Sequence, residues 1–158
     1  MEVKLNKATP EQLKTPPASM SGVVFGTQFS DHMFCMEWED EKGWHNAEIK
    51  PYGPFLMEPS AMVLHYAQMA FEGLKAYRTD SGENVLFRPR ENFKRMNRTA
   101  QRMCLPELDV EEVLDALKQL LRLDSKWVPH ESGTTLYIRP TIVATEEAIG
   151  LKVSSKYL

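Results

Sequence analysis

Residues 64–78, with the sequence LHYAQMAFEGLKAYR, fit neither one continuous helix nor one continuous strand. Their first half is apolar and aromatic up to Phe71, and Gly73 predicts the end of a helix because glycine tolerates positive φ. From Leu74 to Arg78 the side chains alternate in character, as in a short strand. A short helix therefore gives way to a strand. The aromatic residues at the junction suit either a pocket wall or a tight junction filled by core side chains.

The composition is that of a globular domain, with 42% hydrophobic and 26% charged residues. The net charge is only -3 and the signs are interspersed, so we expect no nucleic-acid partner. No run of eighteen apolar residues is present to cross a membrane, and we expect no membrane partner. Residues 1–20 have neither a secretory signal nor a transit peptide, which predicts a disordered leader on a cytoplasmic protein. Cys35 and Cys104 lie far apart and predict two buried, reduced thiols.

The first half of the chain predicts two hairpins. One joins strands at 32–38 and 44–50 through the charged turn at 39–43, and the other joins the strand ending at Arg78 to the apolar run 85–87. Antiparallel pairing should therefore dominate this half.

The second half changes to helical periodicity. Apolar residues lie on one helical face between Glu91 and Cys104, and a second helix begins after Asp109 as N-cap and runs to Leu123. Residues 134–143 then return to strand. We therefore predict an α+β fold for residues 21–158, with helices packed against one antiparallel sheet.

No metal cluster, phosphate loop or serine elbow is present, so candidate site residues are few. Tyr137 and Arg139 are two apart on a strand and point the same way, which suits binding of a carboxylate, although a surface tyrosine and a solvated arginine also fit. Arg95 can clamp a phosphate or belong to a solvated basic face. Lys75 is expected to be exposed. Glu72, like Glu37, has no partner visible in the sequence.

Several long segments resemble the branched-chain amino acid aminotransferases in order and spacing. They are FGTQFSDHMFCMEW (25–38), LHYAQMAFEGLKAYR (64–78), LFRPRENFKRMNRTAQRMCLP (86–106), LRLDSKWVP (121–129) and GTTLYIRPTIVATEEAIGLKV (133–153). These enzymes use pyridoxal phosphate and have fold type IV. The resemblance implies that this chain is their small N-terminal α+β domain, in a cytoplasmic homodimer of amino-acid biosynthesis.

The resemblance also implies roles for individual residues. Arg95 would bind the phosphate of pyridoxal 5'-phosphate. Phe25, Phe71 and Tyr137 would line the pocket for a branched side chain, and Arg139 would meet the distal carboxylate of glutamate or 2-oxoglutarate. Tyr66, with Ile149 and Leu151 of the interdomain loop, would approach the active site of the neighbouring subunit. The substrates implied are branched-chain amino acids and 2-oxo acids.

The family's Schiff-base lysine belongs to its second domain and matches no position here, so we expect no catalytic residue in this chain and no transamination by these residues alone. Two alternatives stay open. One is another fold-type IV enzyme, a D-amino acid aminotransferase or an aminodeoxychorismate lyase, which fits FEGLKAY and YIRP less well. The other is a non-catalytic α+β binding or interaction module on the same scaffold.

Overall fold

The computed structural model describes residues 1–158, which form nine strands, three α-helices and one short 3₁₀ helix at Ser125–Trp127. The strands are β1 (Lys4–Leu5), β2 (His32–Glu39), β3 (Gly43–Pro51), β4 (Met69–Phe71), β5 (Leu74–Arg78), β6 (Asn84–Leu86), β7 (Leu136–Ile138), β8 (Thr141–Val143) and β9 (Lys156–Tyr157). The helices are α1 (Met62–Tyr66), α2 (Pro89–Met103) and α3 (Val110–Leu123). The predicted α+β class is confirmed.

The strands form three sheets instead of the single sheet that the sequence predicted. Their orders are β1-β3-β2-β9, β4-β8 and β6-β5-β7. All neighbours pair antiparallel except β1 and β3, which are parallel. Both predicted hairpins are present, as β2 with β3 and β5 with β6.

The core lies between the two long helices and the sheets. Phe93, Met96 and Ala100 form the buried face of α2, and they pack in one cluster with apolar residues of α3 and of the strands. The α3 residues in that cluster are Val113, Leu114, Leu117 and Leu121. Asp109 is the N-cap of α3, as predicted, and accepts hydrogen bonds from the backbone N–H groups of Glu111 and Glu112. Both helices therefore present the apolar stripe that their periodicity predicted.

Part of the segment predicted to be a disordered leader makes ordered contacts with the rest of the domain. β1 extends the four-stranded sheet beside β3, and the Ala8 backbone N–H donates to His32 Nε2 at 2.9 Å. The Lys14 backbone N–H donates to Asp31 Oδ1 at 2.8 Å. Strand edges and buried polar side chains, which composition does not reveal, supply the partners that fix this segment.

The helix in the 64–78 stretch ends earlier than predicted. α1 stops at Ala67, which has a φ of 51°, and Gly73 is not among the residues with positive φ. The three-residue strand β4 lies between α1 and β5. Ala67 takes the left-handed C-cap conformation that the sequence pattern assigned to the later glycine.

The predicted strand at 134–143 is interrupted at Arg139 and Pro140, so that β7 pairs with β5 and β8 pairs with β4. Glu72 and Gly73, which separate β4 from β5, interrupt the opposite strand at the same level. The Glu72 backbone N–H still donates across the break to the Pro140 carbonyl oxygen at 3.0 Å, which shows that the two breaks face each other. Proline has no N–H to continue the ladder. We call these four residues the crease, since two strands break there together and two sheets meet.

The two cysteines are not bonded to each other. Cys35 is half-buried on β2, and burial raises the pKa of its thiol. Cys104 is exposed at the end of α2, where it has a φ of 55°. The prediction of two buried thiols is therefore wrong for Cys104, because the apolar face of α2 ends one turn before it.

Candidate active site

An ion pair between Glu72 of the crease and Arg95 of α2 is the strongest polar contact near the 64–78 stretch. Arg95 Nε donates to Glu72 Oε1 at 2.5 Å, and Arg95 Nη2 donates to Glu72 Oε2 at 2.6 Å. The Glu72 side chain is only 6% exposed, whereas that of Arg95 is 58% exposed. The two hydrogen bonds from Arg95 hold the pKa of Glu72 below its ordinary value. Glu72 is thus an ionised carboxylate that accepts two hydrogen bonds from one edge of the guanidinium.

Further groups hold Glu72 itself in place. The Gly73 backbone N–H donates to Glu72 Oε2 at 3.0 Å, and Asn92 Nδ2 donates to the same oxygen at 3.3 Å. Asn92 also donates to the Gly73 carbonyl oxygen at 3.2 Å. No partner for Glu72 is visible in the sequence because that partner, Arg95, lies 23 positions away. A charged residue within an apolar run was the available signal, since a buried charge needs a counter-charge.

Four of the predicted site residues form one cluster that includes Arg139 of the crease. The Phe25 and Tyr137 rings meet edge to face with centroids 5.1 Å apart. The Arg139 guanidinium lies over the Phe71 ring, 4.4 Å from its centroid, and Arg139 Nη2 donates to the Tyr137 hydroxyl at 2.9 Å. Tyr137 and Arg139 therefore do share one side, as their spacing predicted. We call Phe25, Phe71, Tyr137 and Arg139 the aromatic cluster.

The aromatic cluster is open to solvent. The exposed fraction is 73% for Phe25 and 57% for Phe71, values that are unusual for phenylalanine. Aromatic side chains left exposed together, with a guanidinium among them, are typical of a binding surface. The cluster offers apolar ring faces and one cation.

Gly73 allows Tyr137 to lie against the backbone of the crease. A Cβ built on Gly73 would overlap the Tyr137 hydroxyl oxygen and lie 2.9 Å from Tyr137 Cζ. The glycine is therefore required for close approach, not for the helix end that the sequence predicted.

Tyr66, Ile149 and Leu151 form a separate group. The Tyr66 hydroxyl donates to the Ile149 carbonyl oxygen, and the Gln68 amide donates to the Lys152 carbonyl oxygen at 2.6 Å. These bonds fasten the loop at 149–152 to the end of α1. Ile149 and Leu151 are exposed, and neither a hydrogen bond nor an aromatic contact joins the three residues to the aromatic cluster.

Other candidates contribute nothing to this surface. Lys75 is exposed, as predicted, and Glu37 lies on the four-stranded sheet, where it accepts a hydrogen bond from Asn46. No group of three or more His, Cys, Asp or Glu side chains is arranged to hold a metal ion. None of the helices has both the length and the apolar character needed to span a membrane.

Two comparisons identify relatives, whereas no model of a protein family matches the chain. The chain is 52% identical to branched-chain-amino-acid transaminase 1 of Bacillus subtilis, a match that covers 91% of this chain and 40% of that protein. It is 45% identical to the cytosolic branched-chain-amino-acid aminotransferase of Saccharomyces cerevisiae, covering 96% of this chain and 40% of that protein. The chain thus spans about two fifths of the length of these relatives.

Solved structures share the fold. A branched-chain amino acid aminotransferase from Escherichia coli superposes with a TM-score of 0.60 at 23% identity, over 82% of this chain and 39% of that one. Another solved branched-chain amino acid aminotransferase of this fold is complexed with N-(5'-phosphopyridoxyl)-L-glutamate. The α+β architecture is therefore that of the fold-type IV aminotransferases. Within that class, the chain is homologous to part of the branched-chain amino acid aminotransferases, which confirms the resemblance found in the sequence.

Proposed function

We propose that this chain is the small N-terminal domain, residues 21–158, of a branched-chain amino acid aminotransferase that uses pyridoxal 5'-phosphate. The observation that carries the proposal is the 52% identity to a branched-chain transaminase along 91% of the chain. The whole protein would exchange the amino group between leucine, isoleucine or valine and 2-oxoglutarate. The covalent lysine would come from the second domain.

The donors on this chain fit the phosphate of that cofactor. Arg95 uses Nε and Nη2 for Glu72, and its Nη1 has no acceptor among the residues of the chain. The guanidinium is exposed, and a guanidinium edge matches phosphate oxygens well. Arg95 is therefore the phosphate ligand in this proposal.

When bound, the cofactor supplies the electron sink that allows an amino group to leave the amino acid. The residues of this chain position and select the substrate. Phe25, Phe71 and Tyr137 surround a branched aliphatic side chain, whose transfer from water to aromatic surface favours binding. Arg139 receives the distal carboxylate of 2-oxoglutarate or glutamate, since it is the one cation of the aromatic cluster.

Tyr66, Ile149 and Leu151 serve the active site of the neighbouring subunit in a homodimer. Their separation from the aromatic cluster and the exposure of the two aliphatic side chains support this assignment. A cytoplasmic location is part of the proposal, supported by the name of the yeast relative.

The full-length protein tests the function directly. It should transfer the amino group from leucine to 2-oxoglutarate, whereas the 158 residues alone should not, because the covalent lysine is missing. Transfer by the isolated chain would contradict the division of roles between the domains. No transfer by the full-length protein loaded with cofactor would overturn the function.

Arg139→Ala in the full-length protein tests how the site accepts two kinds of substrate. The KM for 2-oxoglutarate should rise by at least tenfold, as expected for losing a charge-assisted hydrogen bond of about 1.5 to 3 kcal/mol. The KM for leucine should change much less. Arg122→Ala, which removes an exposed arginine of α3, is the control. Equal losses for both substrates would remove Arg139 from the proposed role.

A further inference from the structure

A carboxylate such as that of Glu72 is unexpected in a site that binds the phosphate anion. This inference rests on the proposed function, in which Arg95 is the ligand of the cofactor phosphate. An ionised carboxylate bonded to that arginine offsets its positive charge and repels a phosphate dianion. A site built for charge alone would have no carboxylate here. Glu72 must therefore contribute something that outweighs its electrostatic cost.

The geometry points to orientation. A free arginine side chain samples many rotamers, and fixing it has an entropic cost of up to about 1.5 to 2 kcal/mol when a ligand binds. Glu72 fixes the guanidinium beforehand through two parallel hydrogen bonds at 2.5 and 2.6 Å. This arrangement occupies the Nε edge and leaves the Nη1 hydrogens free for a ligand.

Glu72 can orient Arg95 because it is itself immobile. Its backbone N–H is bonded to the Pro140 carbonyl oxygen, and its carboxylate accepts from the Gly73 N–H and from Asn92. Asn92 belongs to α2, the helix that carries Arg95. The carboxylate thus ties the crease to α2 at the position of the arginine.

We propose that Glu72 is the positioning residue of the cofactor phosphate site, which holds the Arg95 guanidinium in the orientation that binds phosphate before the cofactor arrives. The same residue fixes the distance between Arg95 and the aromatic cluster, because Phe71 and Gly73 are its neighbours in the chain. The position of the phosphate ligand and the position of the aromatic cluster then both depend on the buried side chain of Glu72.

Glu72→Gln separates positioning from charge. The glutamine side chain would place its NH₂ group, a donor, against one of the two guanidinium N–H donors. The two parallel hydrogen bonds therefore cannot both form. The net positive charge around Arg95 would rise. If charge dominated, the variant would bind a phosphate group more tightly, whereas positioning requires weaker binding.

The measurement is the ratio of the dissociation constants of pyridoxal and pyridoxal 5'-phosphate for the full-length protein freed of cofactor. This ratio isolates the phosphate contact, and general damage to the pocket weakens both ligands alike. We expect Glu72→Gln to lower the ratio by roughly tenfold, because the phosphate must then supply the entropic cost of fixing the free arginine side chain. Glu91→Gln, which removes an exposed carboxylate paired with Lys94 on α2, should leave it unchanged.

The outcomes are distinct. An unchanged or increased ratio in Glu72→Gln, with Arg95→Ala lowering it, overturns the positioning role and leaves the proposed function intact. A wild-type protein that does not prefer the phosphorylated ligand overturns both. If Glu72→Gln does not fold, Glu72→Asp keeps the buried charge but reaches one nitrogen only. A ratio lowered by about threefold with pyridoxal affinity retained supports positioning, and a wild-type ratio overturns it.

Discussion

Glu72 gives the protein a specific dependence on acid. Its pKa in the folded state is lowered by the Arg95 hydrogen bonds, below the value of about 4.3 expected for an unfolded chain. A group with a lowered folded pKa contributes stability above its unfolded pKa and loses it as the pH falls through the folded pKa. The contribution of Glu72 is therefore complete at neutral pH, begins to fall near the unfolded pKa of about 4.3, and is lost as the pH drops through the lower folded pKa.

The test is the free energy of unfolding measured by urea denaturation between about pH 6 and pH 3. As the pH falls below the unfolded pKa of about 4.3, wild-type protein should lose stability more steeply than Glu72→Gln, which lacks this titration. Glu91→Gln should follow the wild-type slope closely, because exposed pairs contribute little. Parallel slopes in wild type and Glu72→Gln would show that the ion pair does not form.

Gly73→Ala should destabilise the protein by about 1 to 3 kcal/mol, the usual cost of overpacking. The new methyl group would overlap the Tyr137 hydroxyl. Gly53→Ala is the matched control, since nothing lies within 4 Å of the corresponding Cβ. Chemical denaturation measures both changes. Tyr137→Leu should relieve much of the loss in the double variant, and strict additivity of the two changes would contradict the clash.

Single residues show what a sequence can and cannot predict about the site. Tyr137 and Arg139 are two positions apart on a strand, so their contact follows from the strand period. The contact of Glu72 with Arg95 depends on how α2 packs against β4, which no local pattern determines. Gly73 was recognised as a special position, but for the wrong reason, because close approach of a ring is not visible in the sequence.

Hydrogen bonds that link Ala8, His32 and Asp124 hold the N-terminal segment to the end of α3. Asp124, at the end of α3, accepts from His32 Nδ1 at 2.6 Å and from the His32 backbone N–H at 2.9 Å. The proton on Nδ1 leaves Nε2 as an acceptor, and Nε2 accepts from the Ala8 N–H. The buried carboxylate thus selects the histidine tautomer that holds the segment.

Asp124→Asn should loosen this segment. An asparagine that keeps the bond to the His32 backbone turns its amide N–H₂ toward Nδ1, which favours the other tautomer and opposes the Ala8 N–H with a second donor. Amide exchange at Asn6, whose N–H donates to the Ile49 carbonyl oxygen at 2.8 Å, should speed up by roughly tenfold. Asp115→Asn, on the exposed face of α3, is the control. Unaltered exchange at Asn6 would mean that β1 is held by its ladder alone.

Long elements were predictable and short ones were not. Helices α2 and α3 have strong periodicity, α3 also has the capping residue Asp109, and β2 and β3 are long alternating strands, so the positions of these elements follow from local pattern. β1 and β9 are two residues each and exist only because β3 and β2 offer them an edge. Elements of this kind depend on tertiary pairing and leave no periodicity in the sequence.

The molecule as a whole was predicted to have one sheet and has three, and the crease accounts for part of the difference. β4 followed by β5 runs antiparallel to β7 followed by β8, as one ladder that breaks at the same level on both strands. Pro140 marked the break on one strand, but nothing in the sequence aligned it with Glu72 and Gly73. That alignment is set by register, which depends on the packing of α2 against the strands.

The crease also divides the molecule by its tolerance of substitution. Ala70, Leu74 and Ile142, beside it, are almost fully buried, whereas Phe71 and Arg139 are exposed. In a library of all single substitutions, the yield of folded protein should fall sharply at the three buried positions and change little at the two exposed ones. Comparable losses at Phe71 would show that it is part of the folding core.

This division has a consequence for how such a protein can diversify. Phe71 and Arg139 are exposed, so exchanging their side chains leaves the buried core and the backbone hydrogen bonds of both sheets intact. Under the proposed function, specificity can then be altered by mutation at Phe71 or Arg139 without compensating changes elsewhere, whereas a larger residue at Gly73 requires a change at Tyr137. Evolution can therefore vary the exposed residues at the crease while the buried residues beside it stay fixed.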